Sequence, residues 1–195
     1  MTIPNVITII RLLLIPVFVT CVMYYASEYQ EGHVNDALRM WAAVVFIAAA
    51  VSDGVDGYIA RKFNQRSELG AVLDPLADKL LQVTALILLS WDFGGAFHRI
   101  PLWLPILMIS RDLFILVGYL VIKLVVGAKV ELKIHWSGKV ATALSMVLIA
   151  MVLLQWTDEI VFPLVLYTVG ACVAISLVIY VESGILQINK ASAKG

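Results

Sequence analysis

Asp53-Gly54-Val55-Asp56-Gly57-Tyr58-Ile59-Ala60-Arg61 is followed, eight residues on, by Gly70-Ala71-Val72-Leu73-Asp74-Pro75-Leu76-Ala77-Asp78. Together these stretches set four aspartates inside segments otherwise apolar enough to cross a bilayer. A carboxylate near the centre of a spanning helix costs roughly 2.5–3.5 kcal/mol on insertion scales, so four uncompensated ones cost on the order of 10 kcal/mol. Bound divalent cations are the natural compensation.

The rest of the chain supports a membrane setting. Of its 195 residues, 62% are hydrophobic, against about 45–50% in soluble domains. A hydrocarbon core of about 30 Å takes about 20 apolar residues per helix. Segments 5–26, 38–61, 70–91, 101–123, 138–156 and 161–186 have about that length. Lipid admits only helices or closed barrels, because no water is present to satisfy exposed backbone groups. The runs lack the alternation of barrel strands. The sequence therefore predicts an all-α fold: a six-transmembrane-helix bundle with a short N-terminal interfacial segment, forming one membrane domain over residues 1–195. Pro4-Asn5 suits a helix start, and Pro16 predicts a kink in the first helix.

Formal net charge is zero, which gives no support to nucleic-acid binding. The placement of charge is more informative. Arg61, Lys62 and Arg66 lie between the second and third segments, and Lys123, Lys129, Lys133 and Lys139 between or near the ends of the fourth and fifth. Lys190 and Lys194 lie in the tail. The alternate loops hold only Arg39 and Arg99 among Glu28, Glu31, Asp36, Asp92, Asp158 and Glu159. The positive-inside rule then puts both termini and the 62–69 loop in the cytoplasm. Cys21 and Cys172 suit apolar packing and have no metal or disulfide spacing. No charged region followed by a cleavage site opens the chain, so the first helix is expected to be retained.

Asp53, Asp56, Gly57, Ala60 and Arg61 recur at helical spacing along one face, as do Gly70, Asp74 and Asp78. A short loop makes the two helices antiparallel. Asp53 then falls at the depth of Asp78 and Asp56 at that of Asp74, about 12–20 Å from the cytoplasmic helix ends at about 1.5 Å per residue. An all-oxygen cluster suits Mg²⁺ or Mn²⁺. Two such ions would balance four carboxylates and leave positions for phosphate oxygens, in the manner of two-metal phosphoryl-transfer sites. Gly57, Ala60 and Gly70 allow close backbone approach, and Arg61 can pair with phosphate. A purely structural use of the aspartates would have to draw on Arg11, Arg61, Lys79 and Arg111, too few nearby cations.

The string resembles the signature of the CDP-alcohol phosphatidyltransferase family, D-x-x-D-G-x-x-A-R-x8-G-x3-D-x3-D, at every position over residues 53–78. Looser similarity includes Pro4-Asn5-x-x-Thr8-x-x-Arg11 and Ile109-Ser110-Arg111-Asp112. The resemblance implies a six-helix homodimer in the bacterial inner or plasma membrane. Such a protein transfers a phosphatidyl group from CDP-diacylglycerol to an alcohol and releases CMP, with its site facing the cytoplasm. It implies that Asp53, Asp56 and Asp74 bind metal, that Asp78 is both ligand and general base, and that Asn5, Gly57, Ala60, Arg61, Ser67 and Gly70 hold CDP-diacylglycerol. Bottom-up chemistry agrees, since a phosphoanhydride needs its charge neutralised and the acceptor hydroxyl needs a proton sink.

An anionic acceptor needs further cations, for which Arg111, Lys133 and Lys139 are the candidates. The chain resembles the branch of phosphatidylglycerophosphate synthases and CDP-type cardiolipin synthases. Tyr119 and Ala141 stand where the former often carry a second arginine and a second lysine, and Ser110-Arg111-Asp112 is similar to the latter. The expected acceptor is glycerol 3-phosphate, with phosphatidylglycerol the alternative. A cation transporter would be expected to spread acids along several helices; here they cluster at one depth on two.

Overall fold

A computed structural model describes the backbone of residues 3–62, 68–126 and 136–192. Side chains are described within these except at 3–5, 53–72, 74, 119, 122–126, 137 and 186–192. The described residues are helical, with no strand: α1 (Ile3–Gln30), α2 (Asp36–Lys62), α3 (Glu68–Leu89), α4 (Trp103–Val126), α5 (Trp136–Leu153) and α6 (Val161–Ser192). All six predicted helices are present. Two stretches, Val6–Gln30 and Val161–Ile185, are long and apolar enough on their described residues to cross a membrane, and Gly138–Leu153 is a shorter apolar helix.

The helix ends follow from local chemistry. Pro4 lies in the first turn of α1, where its missing N–H costs nothing, so α1 runs unbroken from Ile3 and no separate interfacial segment precedes it among the described residues. Pro16 lies inside the same helix. The Thr20 hydroxyl donates to the Pro16 carbonyl at 2.8 Å. Gly32, with φ +84°, ends α1 in a Schellman motif: its N–H reaches the Tyr29 carbonyl and that of His33 the Glu28 carbonyl, at 3.1 and 2.9 Å. Gln155 plays the same part after α5 with φ 55°. Its side-chain amide donates to the Tyr25 hydroxyl at 3.2 Å and to the Ala96 carbonyl at 3.4 Å, which offsets the strain of a left-handed non-glycine residue. Arg39 bridges to Asp36 at 3.0 Å and donates to the Leu153 carbonyl at 3.1 Å, satisfying an orphan carbonyl at the end of α5.

The chain divides into two units, Met1–Ile100 with Met146–Phe162, and Pro101–Ser145 with Pro163–Gly195. In the first, α1 packs on α2 and α3, which also touch each other. Phe18, Val22, Tyr25 and Ala26 of α1 are buried, as are Ala42, Ala43, Phe46 and Ala49 of α2 and Ala77, Leu81 and Ala85 of α3. The alanines let backbones approach closely, and the Phe18 and Phe46 rings fill the remaining space 5.7 Å apart. In the second unit, Leu104 and Met108 of α4, Ala141 of α5, and Leu166, Val169 and Val173 of α6 are buried. Gly170 lies so close to Trp103 that a Cβ there would sit 2.8 Å from the indole.

Candidate active site

The aspartate string falls on two helices that touch. The last turns of α2 carry Asp53, Asp56, Gly57, Ala60 and Arg61, and the first half of α3 carries Gly70, Asp74 and Asp78. Spacing alone places each set on one helix face. The side chains at 53–72 and at 74 lie outside those described, as does that of Asn5, while Ser67 and Lys133 lie outside the described residues altogether. Asp78 is described and half-buried. Among the described residues no three acidic, histidine or cysteine side chains are gathered as a metal site.

Polar residues line the described part of this unit beside the string. Arg11 of α1 is 1% exposed, with Thr8 fully buried one turn before it. Arg11 Nε donates to Ser52 Oγ at 3.3 Å, and the Ser52 hydroxyl donates to the Ala49 carbonyl at 2.7 Å. Gln82 is 1% exposed on α3. Ser52 and Gln82 did not figure among the sequence candidates, although a signal existed: Ser52 stands four residues before Asp56, and Gln82 extends the 70–74–78 spacing by one turn.

The second unit holds the acceptor candidates. Arg111 of α4 is 6% exposed. Its Nη1 donates to Asp112 at 3.0 Å and its Nη2 to Ser176 Oγ of α6 at 3.0 Å, and the guanidinium carbon lies 5.8 Å from the centre of the Tyr180 ring. Arg111 Nε is buried with no hydrogen-bond partner. Arg111 and Asp112 thus form an ion pair, and one donor of the guanidinium remains to be satisfied. Gly138 of α5 is what admits this side chain, since a Cβ there would collide with Arg111 Nη2. Lys139 is exposed. Ala141 is fully buried, a position with little room for the second lysine expected of some relatives.

The CDP-alcohol phosphatidyltransferase family model matches residues 1–181, and the chain belongs to that family. A probable phosphatidylglycerophosphate synthase of Mycobacterium tuberculosis is 34% identical over 150 residues, 77% of this chain and 65% of that protein. The CDP-diacylglycerol–glycerol-3-phosphate 3-phosphatidyltransferase of Escherichia coli is 33% identical over 160 residues, 81% of this chain and 79% of the relative. A CMP-forming cardiolipin synthase of Streptomyces coelicolor is 34% identical over 119 residues, 60% of this chain and 49% of the relative. The chain thus spans from about half to about four fifths of the curated relatives it matches.

Proposed function

We propose that this protein transfers the phosphatidyl group of CDP-diacylglycerol to glycerol 3-phosphate and releases CMP, as a metal-dependent enzyme of phospholipid synthesis. The observation that carries this is the complete eight-position string distributed over α2 and α3, two helices in contact. The donor set fits a hard divalent ion: four carboxylates and no thiolate or imidazole in the string. Asp53, Asp56, Asp74 and Asp78 would hold two ions, Mg²⁺ or Mn²⁺, which when bound neutralise the phosphoanhydride and stabilise the leaving group.

The chain's own groups do the rest. Asn5, Gly57, Ala60, Arg61, Ser67 and Gly70 hold CDP-diacylglycerol, Arg61 pairing with its phosphate. Asp78 accepts the proton of the acceptor hydroxyl. The freed oxygen bonds to the phosphatidyl phosphorus as the bond from that phosphorus to the CMP oxygen breaks. Arg111, Lys133 and Lys139 bind the acceptor phosphate, for which Arg111 Nε is the donor still unsatisfied.

We place all six helices across the membrane as one domain of a homodimer, with the string at the cytoplasmic side of a bacterial plasma membrane. The exposed tryptophans Trp41, Trp91, Trp103, Trp136 and Trp156 all lie near helix ends, where indole rings settle at the membrane interface. Large apolar side chains along the helices, such as Leu13, Val44, Leu113 and Leu164, are also exposed.

A second acceptor, phosphatidylglycerol, is favoured by one observation: buried Ala141 gives the second unit one cation fewer for a small, doubly charged substrate. CMP release measured with CDP-diacylglycerol and each acceptor in turn separates the two. Turnover with glycerol 3-phosphate supports the assignment, and turnover with phosphatidylglycerol alone replaces it by cardiolipin synthesis.

A further inference from the structure

We propose that Arg11 is the built-in counter-charge of the aspartate cluster, a positioning residue that steadies the carboxylates of α2 and α3 before any divalent ion binds. This rests on the metal-site reading above and deepens it. A guanidinium that is 1% exposed is costly unless anions surround it. One of its partners, Ser52, is neutral and accepts from Nε, so that bond supplies no charge. Arg11 lies on the buried stripe Thr8–Arg11–Phe18–Val22–Tyr25 of α1, the helix that packs on both α2 and α3. Ser52 directly precedes Asp53 and stands one helical turn before Asp56. Of the other acids of the first unit, Glu28, Glu31, Asp36 and Asp92 belong to the opposite helix ends, and Glu68 opens α3 six residues before Asp74 and ten before Asp78. The string therefore supplies the carboxylates nearest in register to Arg11.

The charge count gives this arrangement a purpose. Four carboxylates with one arginine leave three negative charges, and two divalent ions bring the loaded cluster to a single positive charge, the sign that attracts a pyrophosphate. Without the arginine the empty cluster repels itself more strongly and the loaded one is neutral.

The test is thermal unfolding of the purified full chain, with EDTA and with Mg²⁺, for the wild type, Arg11→Gln and Arg11→Lys. In EDTA, Arg11→Gln is expected to melt well below the wild type. Mg²⁺ should recover most of that loss, so that its Mg²⁺-induced rise in Tm is about twofold that of the wild type or more. Arg11→Lys keeps the charge and should follow the wild type. The KM for CDP-diacylglycerol should rise in Arg11→Gln alone. An equal loss with and without Mg²⁺, or failure of both variants to fold in Mg²⁺, would assign Arg11 to packing and overturn the proposal while the metal reading stands. A wild type whose melting ignores Mg²⁺ would remove the metal reading and this proposal with it.

Discussion

Arg111 sits among its chain neighbour Asp112 and two residues distant in sequence, Gly138 and Ser176. Asp112 takes one terminal nitrogen, Ser176 the other, and Gly138 leaves the space. Gly138→Ala should therefore displace the guanidinium, break its bond to Ser176 and lower stability by about 1–3 kcal/mol, measurable as a lower midpoint of denaturant unfolding. If Arg111 holds the acceptor phosphate, Arg111→Ala should raise the acceptor KM about tenfold or more, the scale of a lost charged hydrogen bond, with the KM for CDP-diacylglycerol nearly unchanged. Equal effects on both substrates would place it elsewhere. Asp78→Asn should lower kcat by about 10²–10⁴, the usual range for a positioned base, while CDP-diacylglycerol still binds; normal turnover would remove Asp78 from that role. The family was readable from the string itself, because its spacing is local. The buried setting of Arg11 was not, because a charge near a helix end reads as one that snorkels to water, and neither was the bond of Arg111 to Ser176. Only the packing of α1 on α2, and a contact spanning 65 residues between α4 and α6, reveals them.

The helices stand where apolar length predicts them, with α1 and α6 running a turn or more past the predicted ends. Pro4-Asn5 reads as a helix start, and Pro4 does lie in the first turn of α1. Gly32 can be tested as the terminator of α1. Gly32→Ala should cost about 1 kcal/mol, since φ +84° is a conformation that alanine adopts only with strain. At the start of α6, Asp158 accepts from the N–H groups of Ile160 and Val161 at 2.9 and 3.2 Å. These bonds hold its carboxyl below its ordinary 3.8. A depressed folded value means that its stabilisation is present above the ordinary value and is lost as acid protonates the folded carboxylate. The gap in Tm between the wild type and Asp158→Ala should therefore be full at neutral pH and close as pH falls below 3.8. A gap independent of pH would mean that the cap acts without its charge.

At the scale of the molecule, the acidic string and the buried arginine beside it belong to one unit, and Arg111 with its neighbours to the other. The family model spans both units, matching residues 1–181. Composition pointed to a membrane class, and the string made the family legible. The acceptor was less so, because acceptor choice depends on cations whose settings come from folding, such as the buried Arg111 bonded to Ser176. The central claim is most directly tested by CMP release from CDP-diacylglycerol in detergent, with glycerol 3-phosphate, before and after EDTA and then with Mg²⁺ restored. The account predicts release that stops on chelation and returns with Mg²⁺. Release that continues undiminished in EDTA, or none with any alcohol acceptor, would contradict it.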